Sequence, residues 1–490
     1  MSADLAFRNV TILDGTGAPA RQGEVAVTGD RITAVGDTVG PAVRDIDGGG
    51  NCLAPGFVDV HSHDDGALLR HPGMAFKLSQ GCTSVVVGNC GFSAAPAEPG
   101  VDDHTGLIGL TPTWADHAGY VAAVKAARPA VNAMALVGHN TIRHLVMGNE
   151  RREPTAAELA VMADHVARSM EAGACGFSTG LIYEPGRYSQ TDEVVELARR
   201  SAEAGGIYTS HIRNEGNHLL DAVAEAIDIG RRAELPVQIS HHKAAGRANW
   251  GRVVDSLSLV DQANASGADV TLDVYPYTAG SGPMAQYFNL SAIDPELAEV
   301  IRFAACPAFR HYEGRMAVDL AAEQGVTAAD VIRQVLTAPG GDRTICIQFI
   351  IDEGDIESNL RHPLMMVGSD GIPDLRGRPH PRLFGTFPRV LGHYVRDLGI
   401  LGLDEAVRRM TSLSADRFGL TDRGRVGEGQ LADLVLFDPD IIADTATYDD
   451  PQQEASGIDL VVVNGRIALE AGNHTGVGAG RMLRYRTAGA

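Results

Sequence analysis

His61, His63, Cys90, His211, His241 and Asp370 are spread over most of the chain, yet each closes a short apolar run. The runs are GFVDVHSH (56–63), TSVVVGNC (83–90), GIYTSH (206–211), PVQISHH (236–242) and PLMMVGSD (363–370). Imidazole, thiolate and carboxylate are the donors that zinc and similar borderline ions prefer. When parallel strands close into a barrel, their carboxyl ends meet on one rim, so residues far apart in sequence can share an ion. Such a site supports metal-assisted hydrolysis, in which the ion makes a water acidic and polarises the bond under attack.

His61 and His63 stand two apart, which in a strand turns both imidazoles to the same side. Cys90 is followed by Gly91, whose missing side chain lets backbone come close. A lone cysteine in an apolar strand is ordinarily a buried thiol. Its place at a strand end favours a ligand, since thiolate binds zinc and can bridge two ions. His211 leads into the polar turn Ile212-Arg213-Asn214-Glu215. His241 and His242 are adjacent and must point to opposite faces, so one of them enters the cluster, and the pattern does not choose which.

Asp370 sits in a GSDG turn, where aspartate also serves as turn former or helix cap. Beside an ion, its carboxylate can take a proton from water and return it to a leaving amine. Lys243, Arg382, Tyr183, Tyr275 and Ser281 fall just after strands or in the rim loops. Exposed lysines and arginines are usually solvated. A substrate carboxylate would nonetheless want such cations, and arginine can grip it with two parallel hydrogen bonds.

The elements that must position these groups are legible as repeated helix–glycine–strand units. Residues 155–172 (TAAELAVMADHVARSMEA) carry apolar positions at helical spacing, with Thr155 and Glu158 as a capping box and Gly173 as the stop. The strand ACGFSTG (174–180) follows. Helices over 192–204, near 217–234 and near 252–265 lead into IYTSH, VQISHH and ADVTLDVYPY. With GFVDVHSH, TSVVVGNC, AMALVGH and MMVGSD they make eight candidate strands, enough for a (β/α)₈ TIM-like barrel over 56–420. The stretch 280–352, between strands seven and eight, exceeds an ordinary connection and reads as an insertion with extra helices, a lid over the rim. Residues 1–55 and 421–490 alternate apolar and polar positions, as in GEVAVTGDRITAVG and IDLVVVNGRIALEAG, and read as one small β-sandwich built from both termini.

At 490 residues the chain has room for a large barrel and a smaller module. It is 44% hydrophobic with 57 glycines, as suits a folded, turn-rich protein. A formal charge of −21 repels phosphate backbones and anionic lipid, which argues against nucleic-acid and membrane partners. Six dispersed cysteines do not make a disulfide framework. No basic-then-apolar leader and no membrane-length apolar run is visible, so the expected compartment is cytoplasmic.

Taken together, LAPGFVDVHSHDD, VVVGNCGFS, GFSTGLIY, SHIRNE, ISHHKAAG, YPYTAGS, GSDG, PHPR and GQLADLVLFDP resemble the N-acyl-D-amino-acid deacylases (D-aminoacylases) of the amidohydrolase superfamily over almost the whole length. HSH is common to many amidohydrolases, whereas GNCG with ISHHK and GSDG is far more specific, because many relatives carry a modified lysine where Cys90 stands. The resemblance implies a (β/α)₈ barrel with a β-sandwich. It implies a tight zinc site of Cys90, His211 and His241, and a second, weaker site of His61, His63, Cys90 and Asp370. It makes Asp370 the general base and acid beside a metal-activated hydroxide. Lys243, Arg382, Tyr183, Tyr275 and Ser281 become the substrate-orienting set, and a small N-acyl-D-amino acid the partner. Alternatives are a related amidohydrolase acting on cyclic amides or on dipeptides with a D-residue, and, more remotely, a non-catalytic scaffold.

Overall fold

The computed structural model describes residues 2–103 and 107–485. Eight parallel strands run round a barrel in chain order. They are Phe57–Asp59, Cys82–Val87, the run 132–138 (interrupted at Leu136), Gly176–Gly180, Ile207–His211, Val237–Ile239, Val270–Val274 and Met365–Val367. Register is set by pairs such as Thr179↔Ser210, Ser210↔Ile239 and Val274↔Val367. A parallel bridge between Ser62 and Gly371 closes the seam between the last strand and the first. These strands are buried throughout, which explains why they read as apolar runs without alternation.

The connecting helices follow from local signals. Ala156–Glu171 starts at Thr155, whose hydroxyl accepts from the Glu158 amide while the Glu158 carboxylate accepts from the Thr155 amide. Its buried face of Met162, Val166 and Met170 joins Val195, Leu197, Val223 and Ile229 from the next two helices in one core. Each such fully buried aliphatic side chain contributes about 1.5–3 kcal/mol relative to exposure. Because every crossover returns the chain to the same end, the strands' carboxyl ends all emerge on one rim.

Strands from both termini share one nine-stranded sheet, in which Leu434–Phe437 pairs antiparallel with Cys52–Pro55. The N-terminal part is more than hairpins. Ala3–Ile12 pairs antiparallel with Arg21–Thr28 but parallel with Ala42–Asp47 and Cys52–Pro55. Leu434 and Leu436 face a core with Phe7, Val25 and Val462, while Val435 and Phe437 turn to the barrel side with Phe57 and Phe387.

The segment after the seventh strand contains helices, among them Ala317–Gln324 and Ala328–Thr337. It also holds a three-stranded antiparallel sheet ordered Gly280–Pro283, Ile345–Gln348, Ile301–Ala305. That sheet was not anticipated, because GSGP and ICIQ are too short and too uniform to show alternation. Among the described residues, no helix is long and apolar enough to cross a membrane.

Candidate metal centre

The rim brings the six donors into two groups that share one sulfur. In each of the sets His61, His63, Cys90, Asp370 and Cys90, His211, His241, the donor atoms lie within 4.8 Å of one another. Cys90 Sγ is 3.3 Å from His61 Nε2 and 3.4 Å from His241 Nε2. Asp370 Oδ1 is 3.1 Å from His63 Nε2 and 3.5 Å from His61 Nε2. All six residues are buried.

Adjacent His241 and His242 take different surroundings. His242 points away from the cluster and engages both its ring nitrogens, Nδ1 with Asn359 Oδ1 and Nε2 with Ser256 Oγ, each at 2.7 Å. Among the described residues, His211 has no hydrogen-bond partner for either ring nitrogen, its Nε2 lying 3.7 Å from Glu215 Oε1, though it is buried with its ring centroid 4.3 Å from that of His241. Buried imidazoles without partners are costly. Orphaned nitrogen beside a thiol and other imidazoles is the donor set zinc takes, so these residues fit that ion.

Three donors occupy left-handed backbone: Cys90 at φ 55°, His241 at φ 34° and Asp370 at φ 48°. Non-glycine residues pay about 1–3 kcal/mol for such conformations and keep them where surrounding structure enforces them. Here the enforcement is close packing. A Cβ on Gly180 would lie 2.1 Å from the Cys90 carbonyl oxygen, so only glycine lets the two strand ends approach.

Behind the donors stand carboxylates. Asp273 faces His61 Nδ1 at 3.2 Å and accepts from the His241 amide and from Gln238 Nε2, at 2.8 and 2.6 Å. Its contact with Nδ1 leaves His61 Nε2 directed at Cys90. Glu215 lies 3.1 Å from His241 Nδ1 and pairs with Lys243. At the barrel seam, wholly buried Lys77 donates to Asp59 Oδ2 at 2.5 Å and to Ser369 Oγ at 2.8 Å. Asp59 Oδ1 in turn accepts from the amides of Ser369 and His61, at 2.8 and 3.3 Å. One ion pair thereby ties the strand ends that carry His61 and Asp370.

The electrostatics favour anionic donors. Burial pushes the Cys90 thiol up, but the facing His61 and His241 override it and hold the thiol well below its ordinary value. Burial likewise raises Asp370, and Arg382, with His63 and His61, brings it well below the usual carboxylate range. Arg382 Nη1 is 2.9 Å from Asp370 Oδ2.

A cavity opens against both donor groups, and Tyr183, Lys243, Tyr275 and Ser281 line it, while Arg382 does not line it but contacts Asp370 and Tyr275, which do. Lys243 and Arg382 both approach Tyr275, 5.7 and 4.4 Å from its ring centroid. The Ser281 carbonyl accepts from Arg382 Nη2 at 3.1 Å. Tyr183 lies over His211 at 4.5 Å between centroids, and its hydroxyl meets that of Tyr287 at 3.1 Å. Sequence reasoning missed Asp59, Lys77, Glu215, Asp273, Tyr287 and Gln348. The first four left a signal, since a charge inside an apolar run such as GFVDV, AFKL or VTLDV must have a partner, and Glu215 stands one turn after His211. Tyr287 and Gln348 left none.

The chain is similar to known proteins along nearly its whole length. The pattern described as the amidohydrolase family matches residues 44–329 and 354–469. A D-aminoacylase of Alcaligenes xylosoxydans xylosoxydans is 43% identical over 484 residues, covering 98% of this chain and 97% of the relative. An N-acyl-D-glutamate deacylase of the same organism is also 43% identical, covering 94% and 93%. Among solved structures, a D-aminoacylase crystal structure superposes with a TM-score of 0.92 at 43% identity, covering 98% of this chain and all of that one. An N-acyl-D-glutamate deacylase from Bordetella bronchiseptica, complexed with zinc and a phosphonate mimic of the tetrahedral intermediate, gives 0.92 at 41%, covering 99% and 100%.

Proposed function

The chain belongs to the amidohydrolase family, and from that premise we propose that it is a zinc-dependent deacylase, hydrolysing N-acyl-D-amino acids to a carboxylate and a free D-amino acid. The observation that carries this reading is the pair of donor groups joined through Cys90, with the unpartnered nitrogens of His211 in one and Asp370 in the other. Cys90, His211 and His241 would hold the tight zinc; His61 and His63, with Cys90 and Asp370, would hold a second, weaker ion. Zinc, when bound, supplies Lewis acidity, making a water acidic near neutral pH and polarising the acyl oxygen.

The chain's own groups do the rest. Asp370 stays ionised because Arg382 and the imidazoles stabilise its carboxylate, so it is ready to accept the water's proton. The same low affinity for that proton makes protonated Asp370 a strong acid, which favours delivery to the leaving nitrogen. Lys243 and Arg382, both held against the Tyr275 ring, receive the amino-acid carboxylate and fix the scissile amide near Asp370. Tyr183, braced by Tyr287, covers His211, and Ser281 borders the substrate. All six cysteines are free and buried, which supports a reducing, cytoplasmic compartment.

The test is a panel of N-acetyl-D-amino acids, their L-forms, a hydantoin and D-residue dipeptides, offered to wild type and to Asp370→Ala with metal content measured. Wild type is expected to cleave the D-series and leave the cyclic amide. Asp370→Ala is expected to retain zinc and to lose turnover by about three orders of magnitude or more. Hydrolysis at the wild-type rate in that variant would exclude Asp370 as the base.

A further inference from the structure

We infer, on the reading just given, that the side chain of the D-residue must be uncharged: the cavity takes neutral, mainly apolar N-acyl-D-amino acids and rejects N-acyl-D-glutamate and N-acyl-D-aspartate. Overall similarity does not separate these classes, since the D-aminoacylase and the N-acyl-D-glutamate deacylase are equally close at 43% identity. The walls of the cavity do.

An acidic substrate brings two carboxylates into a confined space, and each needs a cation or several donors once water is stripped away. Among the described residues, Lys243 is the one lysine or arginine on the cavity wall. It and Arg382 approach the same Tyr275 ring, and both are already paired, Lys243 with Glu215 and Arg382 with Asp370. They suit one carboxylate, which the α-carboxylate supplies.

Away from Lys243, the described wall combines apolar Phe92, Leu107, Pro283, Ile350 and Ile372 with the neutral Ser281, Tyr287 and Gln348, and among the described residues it adds no second lysine or arginine for another negative charge. The segment 280–352 does carry arginines, but they are committed elsewhere. Arg302 pairs with Asp449, Arg310 with Glu313, Arg315 with Glu323, Arg333 with Asp330 and Arg343 with Asp102. Glu215 and Asp370 on the wall, together with a net charge of −21, add repulsion for a second anion.

The experiment compares substrates of one shape and different charge. Initial rates of amine release are measured for the zinc-loaded enzyme with N-acetyl-D-leucine, N-acetyl-D-methionine, N-acetyl-D-glutamine and N-acetyl-D-glutamate. The leucine and methionine derivatives should be the best, and the glutamine derivative should exceed the glutamate one in kcat/KM by about a hundredfold or more. Equal rates for the last two, or a preference for glutamate, would overturn the inference and leave the deacylase reading standing. No turnover of any D-substrate by zinc-loaded protein would sink both.

Discussion

At the barrel rim, six donor side chains arrive at or just beyond the ends of five parallel strands, three of them from left-handed backbone. Across the same cavity, the segment 280–352 contributes Ser281, Pro283, Tyr287 and Gln348 from a small antiparallel sheet and its flanking helix. That segment has its own core of Phe303, Val331, Ile332 and Cys346. The rim is therefore built to hold a constellation still, and the insertion to present a wall that can change without moving the constellation. On the function proposed above, chemistry would belong to the first and substrate choice to the second.

If that division holds, the largest effect should come from Cys90, the donor common to both groups. Cys90→Ala removes the thiolate that faces His61 and His241 and leaves His211 with even less around its unpartnered nitrogens. The purified variant is expected to lose stoichiometric zinc and to fall by at least about a thousandfold in kcat with every substrate. His63→Ala touches one group only and should keep the ion held by Cys90, His211 and His241. Full zinc content in Cys90→Ala would break the picture of a shared sulfur.

The same division explains what could be read in advance. HSH, GNC, the two SH ends and GSD were legible because a donor at the end of an apolar strand can lead only to the rim, and the capping box at Thr155 and Glu158 marked its helix for a local reason. The choice between His241 and His242 was not legible from alternation. It depends on Asn359, 117 residues away, and on Ser256, 14 residues away in the following helix. Asp273 and Asp59 were visible as charges in buried strands, but their partners were not, since Lys77 reaches Asp59 and Ser369 only once the barrel closes. Pairing inside 280–352 was the least readable of all. Its strands are buried on both sides and match each other rather than any repeating pattern.

An intermediate effect is expected at the seam. Lys77→Met leaves Asp59 and Asp64 buried without their cation, and breaking a buried pair in this way costs about 3–5 kcal/mol. The variant should melt earlier. Because Asp59 also holds the His61 and Ser369 amides, kcat should fall by about ten- to a hundredfold while the tight zinc is kept. Adding Asp59→Asn removes one of the two stranded charges and should recover part of the stability but not the rate. Thermal melts with zinc analysis and kinetics on the same samples would separate these outcomes; an unchanged melt and rate in Lys77→Met would show that the seam does not position the donors.

Tyr287→Phe should be the mildest of the set and the sharpest test of the insertion's role. The substitution removes one hydroxyl, which meets Tyr183 at 3.1 Å, and leaves both rings in place. A neutral hydrogen bond of this kind is worth about 0.5–1.5 kcal/mol, so kcat/KM should drop by no more than about tenfold. Tyr183 packs on His211 through its ring rather than its hydroxyl, so zinc content should not move. The loss should also differ between small and large D-side chains, because Tyr287 lines the wall that meets them rather than the donors that do the chemistry. A thousandfold loss that is uniform across substrates, or a fall in zinc, would mean that the insertion helps to hold the metal centre, and the separation between rim and wall would have to be abandoned.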